Sequence, residues 1–323
     1  MTPCHPPEMT VTNLPVIDIG TGWDQADNNI QRVAAKIYQA ATEIGFFYVC
    51  DHSIDAAETN AATEAARRFF DFPLEQKQTI SVNQLNRGFM AMGNSTMHGA
   101  DTYDLKEVLF WGPDTPKDDP DLLAGHPLVG KNRWPSFMPD LRSAIYPYYQ
   151  SVLACGIRIL QAIAVGLGLE QSFFQSRYHN PLGRGQLVYY PPQADERYGV
   201  APHTDFGCIT LLLQDSNGGL EVRGRDGEWI DAPPLPDTLV VNIGDLLQRW
   251  SNNRLISTEH RVINRSGNKR HSIAIFCDPD SNAVIDARDM ELSRDELALY
   301  EPITAGEYIM SRNQASFAHY AAT

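Results

Sequence analysis

Apolar residues recur along the first third of the chain at two periods. Ile30, Val33, Ala34, Ile37, Ala41 and Ile44 fall on one face at helical spacing, and Gly45 is placed to end that helix. The runs 14–19 before it and 46–50 after it are short, continuous and β-prone, and predict strands, the second one buried. A second helix is predicted from Asp55, where Asp55-Ala56-Ala57-Glu58 has capping-box spacing, to about Phe70, with Phe72-Pro73 closing it. A third, long helical pattern covers 141–167, with Leu141, Ile145, Tyr148, Val152, Ile159, Leu160, Ile163 and Leu167 on its apolar side. Pro147 is expected to kink it and Gly168 to end it.

Beyond Gly183 the texture changes to short β-rich runs at 187–190, 209–214, 220–222, 228–231, 238–243, 260–264 and 271–277, several separated by Gly and Pro turns. Many short strands at close spacing predict a sandwich or barrel. Helical pattern returns over 293–317. The fold class expected is mainly β with flanking helices (α+β). A flexible leader (1–13) would precede an N-terminal helical and mixed region (14–170) packed on a core with a C-terminal helix (171–323), all one structural unit. The segment 83–102, with its glycines, Met90, Met92, Met97 and Arg87-Gly88-Phe89, reads as a loop closing over a site, which makes Arg87 and Phe89 candidate substrate contacts.

Composition narrows the functional classes. A formal net charge of −14, without a basic run, excludes a phosphate-neutralising surface, so no nucleic-acid partner is expected. Five widely spread cysteines contain no CxxC pair, and read as reduced, mostly buried residues of a cytoplasmic protein rather than a zinc or disulfide framework. The longest unbroken apolar stretch, 162–169, is too short to cross a bilayer, so no membrane association is expected. Oligomeric state is not legible.

The chemistry-bearing pattern is His203-Thr204-Asp205 with His260 farther on. Residues two apart in a strand share a face, so His203 and Asp205 are placed to grip one ion, and a histidine from another strand completes the set. Two imidazoles and a carboxylate leave open positions and suit non-haem Fe(II). In a chain with nine histidines the triplet alone is easily matched by chance. The residues after His260 give it weight: Arg270 and Ser272 enter the β-prone run to Phe276, and period 2 puts Arg270, Ser272, Ala274 and Phe276 on one face. A guanidinium there can clamp a carboxylate through two parallel bonds, with the serine as a third donor. His271 points the other way and is expected on the outer face, and His98 reads as an exposed loop residue.

These residues stand within a longer series: Tyr189-Tyr190-Pro191-Pro192, His203-Thr204-Asp205-Phe206-Gly207, Ile209-Thr210-Leu211-Leu212, Gly218-Gly219-Leu220, Val241-Asn242-Ile243-Gly244-Asp245, Trp250-Ser251-Asn252, His260-Arg261-Val262 and Arg270-His271-Ser272. More loosely, Pro15-Val16-Ile17-Asp18, Gly45-Phe46-Phe47-Tyr48-Val49 and Asp104-Leu105-Lys106-Glu107 extend it over nearly the whole chain. In this series the chain resembles the isopenicillin-N-synthase-like family of Fe(II)/2-oxoglutarate-dependent dioxygenases. The resemblance implies a double-stranded β-helix (jelly roll), with His203, Asp205 and His260 as iron ligands and Arg270, Ser272 and Tyr190 binding 2-oxoglutarate. It also implies O2 as co-reactant, ascorbate as a stimulant, and hydroxylation, desaturation or rearrangement of a small-molecule metabolite with release of succinate and CO2. Phe276 is a candidate substrate contact. The chain departs from the family where many members carry Asn and Arg before the tyrosine; here Val188 and Gln186 stand. A 2-oxoglutarate-independent oxidase of the same family, and a zinc hydrolase or isomerase on a cupin-like fold, are the rival readings. The second leaves Arg270 and Ser272 without a role.

Overall fold

The computed structural model describes residues 14–20, 29–97, 102–193, 196–292 and 295–320. The leader 1–13 and His98 lie outside the described residues. In chain order the strands of the two larger sheets are β1 (Val16–Asp18), β2 (Phe46–Cys50), β3 (Gly88–Met90), β4 (Glu107–Trp111), β5 (Arg184–Tyr190), β6 (Val200–His203), β7 (Ile209–Gln214), β8 (Leu220–Arg223), β9 (Trp229–Asp231), β10 (Leu239–Ile243), β11 (His260–Val262) and β12 (Arg270–Cys277). Eight of them form a large sheet in the order β1-β2-β10-β7-β12-β5-β4-β3, and four a smaller one, β6-β11-β8-β9. Pairing is antiparallel except between β1 and β2.

Period-2 alternation sorts the large sheet into two buried faces. Phe47, Val49, Leu211, Val241, Ile273, Ile275, Leu187 and Leu109 face one way, into a cluster shared with the helices α1 (Asn29–Glu43) and α2 (Ala56–Asp71). Phe46, Tyr48, Val240, Val188, Tyr190, Val108 and Phe110 face the other way, into a second cluster shared with Val200, Val222 and Val262 of the small sheet. Burial on both faces explains why these strands read as unbroken apolar runs rather than clean alternations. All eight residues of β12 are buried.

The expected helices form, with informative differences. α1 ends as predicted at Gly45, whose φ of +70° is a left-handed conformation that glycine adopts without steric cost. Asp55 caps α2 by accepting from the Ala57 N–H at 2.7 Å, but Glu58 turns away and accepts instead from Ser151. Two short helices follow, α3 (Leu74–Gln78) and α4 (Pro120–Ala124), and then α5 (Leu141–Gly166). By length and composition alone α5 is long and apolar enough to cross a bilayer, a test that a buried core helix also passes. Here its apolar side lies against α1, α2, β7 and β12. After α6 (Asp245–Trp250) the C-terminal helix α7 spans only Ala305–Ser316, started by a full capping box between Thr304 and Glu307.

Residues before 170 supply β1 and β2 at one end of the large sheet and β3 and β4 at the other. The N-terminal region therefore frames the core strands on both sides. The segment 83–102 is in part a strand, β3, rather than a continuous loop.

Candidate metal and cosubstrate site

His203 closes β6 and His260 opens β11, and the two are direct partners in the antiparallel pair. Their ring centroids lie 4.2 Å apart. Asp205 lies beyond the end of β6, not on the strand as the period-2 argument assumed. The turn after it brings its carboxylate back to the imidazoles. Asp245 N–H donates to the Asp205 carbonyl, and Gly244 N–H to that of Cys208. Gly207 sits against the Asp278 carboxylate with no room for a Cβ, so the turn has its tight shape only with glycine there.

Among the described residues these three side chains form the one group with metal-ligand geometry, one donor atom of each lying within 4.8 Å of the others. His203 Nδ1 is 2.8 Å from the Ala201 carbonyl and His260 Nδ1 3.2 Å from that of Thr258. A carbonyl only accepts, so each ring carries a proton on Nδ1 and turns Nε2 toward the site. Both Nε2 atoms face Asp205 Oδ1, at 3.9 and 3.8 Å. Burial, with His260 alongside, pushes the His203 pKa down to about 3 and keeps the ring neutral, the form that ligates. Burial also pushes the Asp205 carboxyl up, but His260, His203 and hydrogen bonds from Thr210 and Asn242 bring it below its ordinary value. Two imidazole nitrogens and a carboxylate oxygen converging on one point fit a divalent iron.

Thr210 and Asn242 were not singled out from the sequence. Both donate to Asp205 Oδ2, Asn242 at 2.7 Å, which leaves Oδ1 free to face the imidazoles. They are cross-strand neighbours on β7 and β10. The available signal was a polar residue inside each apolar run, Ile209-Thr210-Leu211 and Val241-Asn242-Ile243.

Arg270 and Ser272 lie on the inner face of β12, opposite Tyr190 and Val188 of β5. Arg270 is fully buried. Its Nε donates to the Gly218 carbonyl, its Nη2 to Gln214 at 3.1 Å, and its guanidinium packs 4.7 Å from the Tyr190 ring centroid. Nη1 has no partner, and no carboxylate among the described residues pairs with the charge. A buried, uncompensated guanidinium with an idle donor fits an anion supplied from outside, such as the distal carboxylate of 2-oxoglutarate. His271 does point to the opposite face, but that face is covered: the ring packs against Phe70 of α2 and Tyr189 and is buried.

Beside the triad is a narrow cavity of about 50 Å³ lined by Met97, Lys106, Phe110, Arg184, Gln186, Thr204, Phe206, Phe276, Asn313 and Phe317 together with His203 and Asp205. Phe276 reaches it, as expected. Arg87 and Phe89 do not. Arg87 is buried and donates to the carbonyls of Leu85 and Leu128, fastening one loop to another, while Phe89 packs against Phe69 on the helix side. Among the described residues of the segment 83–102 it is Met97 that lines the cavity. A larger groove of about 900 Å³ runs along residues 51–60 and 234–240 and contains none of the triad.

A buried His-Asp-His cluster between two facing sheets, with an unpaired arginine on the inner face, defines a non-haem iron oxygenase of the keto-acid-using kind. Comparisons with known proteins agree. Residues 176–279 match the 2OG-Fe(II) oxygenase superfamily, and residues 14–137 the N-terminal region described for the non-haem dioxygenase in morphine synthesis. The 2-oxoglutarate-Fe(II) type oxidoreductase hxnY of Emericella nidulans is 32% identical over 320 residues, covering 96% of this chain and 92% of that protein. A full-length Neurospora crassa protein solved with α-ketoglutarate and thymine superimposes with a TM-score of 0.82 at 30% identity, over 94% of this chain and 96% of that one. The protein JOX2, solved with 2OG, Fe and JA, gives 0.77 at 29%, over 96% and 88%. The chain belongs to the 2OG-Fe(II) oxygenase superfamily. It is a 2-oxoglutarate-dependent Fe(II) oxygenase with a jelly-roll core.

Proposed function

We propose that His203, Asp205 and His260 hold the iron, that Arg270 and Ser272 bind the distal carboxylate of 2-oxoglutarate beside Tyr190, and that a small-molecule metabolite enters the Phe276-lined cavity to be oxidised. When bound, iron with 2-oxoglutarate and O2 supplies the oxidising power, with succinate and CO2 released. The protein's own groups hold, orient and exclude water. Nδ1–H donation to Ala201 and Thr258 fixes both imidazoles. Thr210 and Asn242 fix the carboxylate. Val188 makes the wall beside Ser272 apolar, so cosubstrate recognition falls on Arg270, Ser272 and Tyr190 without an amide donor at that position. The substrate's small size is supported by the narrowness of the cavity and by the small ligands of the two structural relatives.

The observation that carries this reading is the pairing of the His-Asp-His cluster with the buried Arg270, which no carboxylate among the described residues pairs with, on one inner surface. Anaerobic titration tests it. Fe(II)-loaded protein should bind one 2-oxoglutarate with a visible charge-transfer band, and the band should be absent without iron. A protein that binds iron but shows neither the band nor 2-oxoglutarate binding would belong with the keto-acid-independent oxidases.

A further inference from the structure

We infer that the cavity beside the triad selects a neutral, planar substrate presenting a lactam- or imide-like edge, an N–H next to a C=O, and that Gln186 and Arg184 read that edge. The inference rests on the proposed placement of iron and 2-oxoglutarate, and it adds the chemistry of the third reactant.

The cavity holds two cationic side chains, which at first sight suggest an anionic substrate. Each already carries its own carboxylate. Lys106 Nζ lies 3.3 Å from Asp104 Oδ2, and Asp104 is buried and held by Ser95 and the Ala201 N–H. Arg184 Nε donates to Asp278 Oδ2 at 2.7 Å, and Asp278 is fully buried and held by the Cys208 N–H. Both pairs are neutral as units. A carboxylate entering here would lose its hydration against a wall with no net charge to offset the loss. Arg270 differs, because its charge has no carboxylate beside it. The two arginines thereby divide the chamber into an anion end and a neutral end.

What remains free at the neutral end is hydrogen-bonding capacity. Arg184 is 6% exposed and its Nη2 has no partner. Gln186 is two residues along the same inner face of β5 and lines the same cavity. An amide offers a donor and an acceptor together, which complements an adjacent C=O and N–H, and Arg184 Nη2 supplies a second donor for a carbonyl. Four phenylalanines, Phe110, Phe206, Phe276 and Phe317, make up much of the rest of the lining, beside Met97, Thr204 and the buried Asn313. Phe276 packs under the Arg184 guanidinium at 4.6 Å, and Phe110 and Phe317 meet edge to face at 5.9 Å. Flat faces and a narrow space favour a ring over a branched chain.

Calorimetry on the anaerobic Fe(II)–2-oxoglutarate protein tests this without turnover, using uracil and 2-pyridone as neutral lactam probes and benzoate as a planar anion. At least one lactam should bind tenfold or more tighter than benzoate. Gln186→Leu, which keeps the volume, should weaken that lactam about tenfold. Gln186→Glu, which removes the amide donor and adds charge, should weaken it at least as much. Benzoate binding as tightly as either lactam overturns the inference, as does binding of no probe, or lactam affinity indifferent to both substitutions. The 2-oxoglutarate titration of the unmodified protein separates the two levels. If 2-oxoglutarate itself fails to bind, the placement of cosubstrate is wrong; if it binds and the lactams do not, only the substrate class is wrong.

Discussion

The two faces of β12 are equally buried and do opposite things. Inward, Arg270, Ser272 and Phe276 carry an unpaired charge, a hydroxyl and a cavity wall. Outward, Ile273, Ile275 and Cys277 fill the cluster beneath the helices. Burial therefore does not distinguish structural from functional positions in this strand. Charge does: the outward face of β12 holds apolar groups and one neutral imidazole whose Nε2 also lacks a partner, while the inward face holds a guanidinium with a donor lacking an acceptor and, among the described residues, no carboxylate beside it. The comparison teaches that within this strand the functional face is marked by an unpaired charge, not by burial or by a missing hydrogen bond alone.

The strongest test lies at the metal end of the inner chamber. His203→Ala removes one of the three proposed ligand atoms, at the end of a strand of the small sheet, without touching the main core. Iron content should fall to a small fraction of wild type and turnover to background, with the thermal unfolding midpoint of the metal-free protein nearly unchanged. Equal iron in the variant would show that the cluster does not hold it. On the outward face, Ile275→Ala should do the reverse. It deletes methylene groups from a fully buried position and should cost about 2–5 kcal/mol of stability by denaturant unfolding. The affinity for 2-oxoglutarate should stay within about twofold at temperatures where the protein is folded.

Between these extremes are the groups that orient the carboxylate. Asn242→Leu leaves Asp205 Oδ2 with Thr210 alone, so iron affinity should drop roughly 10- to 100-fold, measured by competition with a chelator. A smaller loss would mean that Thr210 by itself fixes the carboxylate. Arg270→Gln comes next, since it removes both the charge and the fork. The KM for 2-oxoglutarate should rise about tenfold or more, equivalent to about 1.4 kcal/mol, with iron content unaffected. Lysine at 270 should restore only part, because an ammonium is a point charge without the bidentate geometry.

Much of this was legible in the sequence where short-range rules decide. Period 2 put Arg270, Ser272 and Phe276 on one face, and the helical spacing of Ile30 to Ala41 gave α1. The rules failed where tertiary contacts decide. Asp205 reaches the histidines through a turn held by Asp245 N–H and a packed glycine, not through a strand. Arg87 and Phe89 looked like lid residues because they are bracketed by glycine and methionine. Their actual partners, the Leu128 carbonyl and Phe69, are remote in sequence. The C-terminal helix starts at Ala305 rather than near 293, because the Thr304–Glu307 box sets its start. Thr210 and Asn242 were visible only as polar residues in apolar strands, and their shared acceptor is apparent only once β7 and β10 are paired.

The smallest effect is expected next door to the largest cosubstrate effect, at His271. It neighbours Arg270 in the chain but lies on the other face, tilted against the Phe70 and Tyr189 rings, and its Nε2 is buried without a partner. Burial lowers its pKa, so the ring is neutral and carries no charge for the fold to use. Its backbone N–H, not its side chain, makes the short bond to Asp215. Leucine at 271 would put an apolar side chain of similar bulk against the two rings and remove one unsatisfied polar atom, so stability should change by less than about 1 kcal/mol in either direction. The KM for 2-oxoglutarate should match wild type. A tenfold rise there would mean that the two faces of β12 are coupled through the strand. In that case, the separation drawn between packing on one side and chemistry on the other would fail at its closest point.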